Sequence, residues 1–298
     1  MSRWVVTTLA VVMAFSRQRS AVADGEPRRL ASLADGAVDE SSGLAVSGRD
    51  PELLWTINDS GDAPLLYATD RAGHALGRAI VRGAINVDWE DLATVPAGDA
   101  EPALVIGDIG DFGRERDEIE LYRLPEPVID PDEPPPLDQP IVTAPVERFP
   151  LAYPDGAHDA ETLLVDPRDG EILIVTKELL GPARIYRVPL PMTPGEPATM
   201  ELAGLLSLPG LPLGAGLTTG GAVTAVGDRV TVRTYGMAFE WRVEAGQSLL
   251  DALMGVSARC SLAGSGRGEA IAYGSDGETL LMTAEGVPCP LFELSLGA

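Results

Sequence analysis

Apolar runs of four to six residues, each ending in polar or turn residues, recur along this chain in groups, and runs of that length rich in β-formers predict strands. The first run of each group follows an acidic or small residue: Ser42-Gly43-Leu44-Ala45, Glu90-Asp91-Leu92-Ala93, Glu161-Thr162-Leu163-Leu164, Gly221-Ala222-Val223-Thr224 and Glu269-Ala270-Ile271-Ala272. Their first residues lie 48, 71, 60 and 48 positions apart. A second run follows each: residues 54–59, 104–108, 173–177, 230–233 and 280–283. A third carries an aromatic every time, at Tyr67, Tyr122, Tyr186, Trp241 and Phe292. A fourth, less regular run precedes the next group, as at residues 78–81 and 148–151. Four short strands per unit, repeated at this period, predict the blades of a β-propeller.

The fifth unit has no fourth run before Ala298. The thirty residues from Glu269 to the end and the eighteen from Asp24 to Ser41 together make one 48-residue blade. Residues 29–33 are therefore expected to complete the last blade, giving an all-β, five-bladed ring with no free edge. A β-sandwich, the rival architecture, would not produce that sum. The long second unit carries a proline-rich insertion, residues 125–145, expected to be an irregular surface loop.

Residues 1–23 stand apart. Arg3 leads an apolar stretch, residues 5–15, that ends near Ala21-Val22-Ala23, the pattern of a signal peptide, with an uncleaved anchor as the alternative. The expectation is a secreted or periplasmic protein, residues 24–298 forming one propeller domain, monomeric and free of the membrane after cleavage. The net charge is −23, and cleavage would remove three arginines and no acid. So negative a surface excludes nucleic acid and anionic membranes as partners. Two cysteines, Cys260 and Cys289, in an exported chain suggest one structural disulfide.

In a propeller of up-and-down blades, the start of the first strand and the end of the second meet at one end of the axis. That rim is expected to gather Glu40, Glu90, Glu161 and Glu269 with Asn58, Asp59, Asp108, Asp111, Lys177, Arg233 and Glu285. Carboxylates so crowded need an offset, for which Lys177, Arg233 and a bound cation are available. Oxygen-only ligands suit Ca2+ or Mg2+, and the irregular geometry of loop ends favours Ca2+, with Glu40, Asp108 and Glu161 the candidate ligands. Asn58, Asp59, Glu90, Asp111, Glu269 and Glu285 are the candidate ligand-binding residues. The chain has 21 arginines and a single lysine, Lys177, at a repeat position; with Glu161, Arg233 and His158 it forms the candidate catalytic group.

These segments resemble, over nearly the whole chain after the leader, a family of bacterial exported propellers grouped loosely with phytase-like or esterase-like propellers. The matching stretches are Trp55 to Asp62, Asp88-Trp89-Glu90-Asp91, Gly107 to Asp111, Tyr153 to Glu161, Arg233-Thr234-Tyr235 and Gly268 to Ala272. Three positions depart from the pattern: Phe112 where asparagine is expected, Arg267 where glutamine is, and Ala222 where aspartate is. The last removes a carboxylate from the fourth blade. The resemblance implies a propeller fold and at most a class of chemistry. The leading expectation is a Ca2+-associated module that binds an extracellular small molecule or glycan. The alternatives are a metal-dependent hydrolase of phosphoesters or glycosides, and a protein-interaction scaffold.

Overall fold

Inner runs such as Leu53–Asn58 and Ile172–Thr176 are buried along their whole length, the pattern of strands covered on both faces. The computed structural model describes residues 25–95, 101–211 and 216–297; the expected leader lies outside them. These residues form five antiparallel blades.

An opening strand, β1 (Arg28–Ser32), precedes the first blade. Blade one contains β2 (Ser41–Val46), β3 (Leu53–Asn58), β4 (Leu65–Asp70) and β5 (Ala75–Ile80). Blade two contains β6 (Trp89–Val95), β7 (Ala103–Asp108) and β8 (Ile119–Pro125); after β9 (Ile141–Val142) it is completed by β10 (Glu147–Ala152). Blade three has β11 (Ala160–Val165), β12 (Ile172–Thr176) and β13 (Ala183–Arg187); after β14 (Ala198–Thr199) it is completed by β15 (Glu201–Leu206). Blade four has β16 (Gly220–Val223), β17 (Arg229–Arg233), β18 (Met237–Arg242) and β19 (Ala258–Ser261). Blade five has β20 (Ile271–Tyr273), β21 (Thr279–Thr283) and β22 (Pro290–Ser295).

The fourth strand of blade five is β1, antiparallel to β22 with Arg28 opposite Glu293 and Ser32 opposite Pro290. The two ends of the fold thus close the ring as the blade-length sum requires. The inner strands β2, β6, β11, β16 and β20 contact one another in that order, and β20 returns to β2. The third-strand aromatics Tyr67, Tyr122, Tyr186, Trp241 and Phe292 are all buried. There their large apolar faces supply much of the core.

The proline-rich insertion is more ordered than its composition suggests. Its strand β9 adds in parallel to the outer edge of blade one, pairing Ala79 with Ile141. Glu126, buried at its start, accepts from Trp55 Nε1 at 2.9 Å and from Gly48 N at 2.9 Å. The insertion is a strap over blade one, held by a carboxylate that an apolar count does not weigh. A short helix, α1 (Leu249–Leu253), capped by Ser248, interrupts the β18–β19 connection. No helix among the described residues is long and apolar enough to cross a membrane.

The expected disulfide is corrected, because Cys260 and Cys289 are both free and buried. Cys260 lies on the outer strand of blade four, its thiol directed at Ala238 O; Cys289 precedes β22 in blade five and donates to Ala284 O at 3.3 Å. Burial pushes the two thiols up to about 11 and about 12, so neither is a ready nucleophile. Addition of reductant is expected to leave the melting midpoint unchanged within about 1 °C. Thiol reagent should find two reactive groups after denaturation; fewer than two would restore the bridge.

Candidate metal and ligand site

The strand polarity places the starts of inner strands and the ends of second strands at one mouth of the axis, and carboxylates converge there. Asp59 follows β3, Asp88 and Glu90 flank Trp89 at the start of β6, and Asp159 and Glu161 flank Ala160 at the start of β11. Two triads result: Asp59, Asp88 and Glu90, and Glu90, Asp159 and Glu161, each offering oxygens within 4.8 Å of one another. Glu90 belongs to both. Gly110 makes room for them, since a methyl there would lie 2.4 Å from both Asp88 Cγ and Glu90 Oε1.

Burial and mutual repulsion raise the proton affinity of this cluster. Burial first, then Asp59, pushes Asp88 up to about 7. Burial and the facing Glu161 push Glu90 well above the carboxylate range. Glu161 rises to about 8 through burial and Glu269, although Lys177 pulls it down. Burial also raises Asp159 and Glu269.

One flank is cationic and aromatic. Lys177, at the end of β12, forms a close ion pair with Glu161 Oε1 and donates to Tyr235 Oη at 3.0 Å. Tyr235 in turn donates to Glu269 Oε1 at 3.3 Å. Its ring carries Lys177 Nζ at 5.2 Å and the Arg267 guanidinium at 5.0 Å from the centroid. Lys177, Tyr235 and Arg267 thus form a wall beside the carboxylates, from blades three, four and five. Arg267 adds a second positive charge to this wall.

The structure brings Asp59, Glu90, Glu161, Lys177 and Glu269 together as expected, and gives the other candidates different roles. Asp108, expected as a metal ligand, is consumed: it accepts from Val87 N, Asp88 N and Arg116 Nη1 at 3.3, 3.1 and 2.8 Å. Asp111 spends its two oxygens on Glu115 N and Arg116 N, folding its own loop. Glu40 is exposed and lies in neither triad; Glu285 is exposed as well. Asn58 pins the segment before β2 by donating to Ala37 O at 2.7 Å and Asp39 Oδ1 at 3.0 Å. Arg233 is fully buried, donates to Ala270 O at 2.7 Å, and stands behind the site rather than in it. Burial draws it down to about 10, which leaves it cationic at neutral pH. His158 sits in a cage of Tyr153 and Tyr186, with Nε2 3.2 Å from Asp155 Oδ1, apart from the triads.

Asp88, Asp159, Tyr235 and Arg267 are the site residues that the sequence reading did not assign. A signal for two of them existed. Asp88-Trp89-Glu90 and Asp159-Ala160-Glu161 repeat an Asp-x-Glu spacing at the same point of two blades, and residues two apart on an extended chain share a face.

The donors are all oxygen, and Glu161 Oε2 is buried with no hydrogen-bond partner. An orphaned carboxyl oxygen beside two other carboxyl groups is the environment a hard divalent cation satisfies. Asp59, Asp88, Glu90, Asp159 and Glu161 therefore fit such an ion.

No family model matches the chain, and no curated protein matches it. Among solved structures it is similar to a gluconolactonase from Xanthomonas campestris, at 16% identity over 93% of this chain and 97% of that one, with a TM-score of 0.47. A chain of a nidogen/laminin complex (14% identity, 83% and 72% covered, TM-score 0.43) and the Dos1 propeller (11%, 87% and 68%, 0.38) are also similar. These likenesses concern the fold alone.

Proposed function

We infer that the acidic mouth holds a divalent cation, calcium by its oxygen-only donors, and that through it this exported protein captures a small extracellular acid or acidic sugar. The observation that carries this reading is the pair of triads sharing Glu90, with Glu161 Oε2 left unpartnered. Calcium accepts irregular oxygen sets and keeps positions open for ligand hydroxyls or carboxylates. The neighbouring wall suits an anion: Lys177 and Arg267 supply charge, and the Tyr235 ring supplies a flat face. Glu90 and its neighbours would hold the ion, which neutralises the cluster and polarises a bound oxygen; Lys177 would orient the ligand's anionic group.

A hydrolytic reading is favoured by one observation. Burial and Glu269 raise the Glu161 carboxyl above its ordinary range although Lys177 opposes them, the direction a general acid at neutral pH needs.

Calorimetric titration separates these readings. Calcium should bind the intact protein, and Glu90→Gln should weaken it at least about 100-fold, the upper end of what losing even an outer-shell partner costs. D-glucuronate should bind only with calcium present, and Lys177→Met should abolish glucuronate binding while calcium still binds. Absence of calcium binding at millimolar concentration would overturn the cation. Turnover of phosphate esters or glycosides, lost in Glu161→Gln, would make the site hydrolytic.

A further inference from the structure

The opposite end of the axis holds a cavity of about 300 Å3, lined from all five blades, for example by Leu44, Leu92, Leu163, Ala222 and Ala272. These residues follow the acidic positions along the inner strands, so the cavity opens at the far mouth. Asp91 lies between the two regions: it is fully buried, follows Glu90 and precedes Leu92.

The character of the cavity is unlike that of the rest of the molecule. Among the described residues no acidic side chain lines this space, and Arg49 is the one charged lining residue. The polar side chains in its wall are largely committed elsewhere. Ser47 Oγ accepts from Arg49 N and Asp50 N, Thr94 Oγ1 donates to Val46 O, Thr224 Oγ1 bonds Asp228, and Tyr273 Oη bonds Thr231 and Glu240. An apolar space of this size suits an organic ligand better than ordered water, which needs several polar partners.

Arg49 supplies the polar end of the recognition. Its Nη2 lies 3.5 Å from Glu126 O and 3.6 Å from Glu101 Oε2. Both contacts are long beside the roughly 2.8 Å of a charge-assisted hydrogen bond, so a ligand carboxylate would gain by replacing them.

We propose that this cavity is a second binding site, for a medium-chain aliphatic carboxylate whose tail enters along the axis and whose carboxylate meets Arg49. A tube walled by five strands admits a narrow chain. A single guanidinium at the mouth of an otherwise strongly anionic protein selects a single negative head. The site is independent of the cation site and stands or falls without it.

Titration calorimetry with the whole protein tests the assignment, using decanoate and decanol as probes at pH 8 and below their micelle concentrations. Decanoate is expected to bind with one site and decanol at least about tenfold more weakly, the value of one charge-assisted contact. Arg49→Met should weaken decanoate about tenfold and leave decanol unchanged. Ala222→Leu, which fills the cavity, should weaken both probes more than tenfold while thermal melting stays cooperative. If that variant does not fold, Ser275→Phe at the rim blocks the same space. No decanoate binding, equal binding of decanol, or full binding by a filled-cavity variant that melts cooperatively would each overturn the proposal.

Discussion

At pH 8, saturating calcium is expected to raise the melting midpoint by roughly 5–10 °C over chelator, and at pH 5 the gain should be much smaller. An ion present at 100 times its dissociation constant adds about 2.7 kcal/mol, and a domain of this size gains roughly 2–4 °C per kcal/mol. The pH dependence follows from the direction of the carboxylate shifts. Asp88 and Glu161 move from ordinary values of 3.8 and 4.5 up to about 7 and about 8, and Glu90, Asp159 and Glu269 also rise. The folded chain therefore keeps protons that the unfolded chain has lost. The associated stability is complete below about pH 4 and disappears as pH climbs through 7 to 8.

In chelator, then, the midpoint should fall between pH 5 and 8.5. Calcium replaces the missing protons, so its benefit grows over the same interval. Glu90→Gln removes the charge common to both triads. That variant should lose the calcium response and, in chelator at pH 8, melt higher than the parent. Gly110→Ala should also lose the response without altering any charge, because its methyl occupies space used by Asp88 and Glu90. Identical midpoints with calcium and chelator at pH 8 would remove the cation from the site.

The second large effect is expected at Asp91. Its Oδ1 accepts from Leu92 N at 2.9 Å, and Oδ2 from Leu163 N at 2.8 Å and Gly221 N at 3.2 Å. One buried carboxylate on β6 thus ties the inner strands of blades two, three and four. Asp91→Ala would strand two interblade N–H groups at the axis, at about 1–3 kcal/mol each. The lost packing and the third bond bring the expected destabilisation to about 3–6 kcal/mol, or roughly 10–20 °C. Asp91→Asn keeps one acceptor oxygen and should lose less. Urea unfolding of the two variants supplies the measurement, and a loss below about 1 kcal/mol for alanine would show that the blades do not depend on this tie.

Asp91 also shows how far the chain could be read without coordinates. Its place in the Glu90-Asp91-Leu92-Ala93 repeat marked the start of an inner strand, and that assignment holds. Nothing local distinguishes it from Glu90, although one is a buried interblade tie and the other the hub of the acidic cluster. Adjacent residues on a strand point to opposite sides, and the partners that separate their roles lie 72 and 130 residues further on for Asp91. The same holds for Asp108 and Asp111. Both look like rim ligands, but Arg116 and the backbone of their own loop occupy their oxygens. The disulfide expectation failed for a related reason, since composition counts cysteines while blade geometry decides which of them can meet.

What the sequence determined by itself was the architecture: strand length, blade period, the aromatic on each third strand, ring closure through β1, and the gathering of polar residues at one mouth. Those features arise from alternation and repetition along the chain, which are local and summed over five copies. Only the tertiary structure decided which carboxylates face one another, which are spent on loops, that Arg233 lies behind the site, and that the other mouth is an apolar cavity. Those outcomes depend on distances between blades, set by packing among residues far apart in the chain.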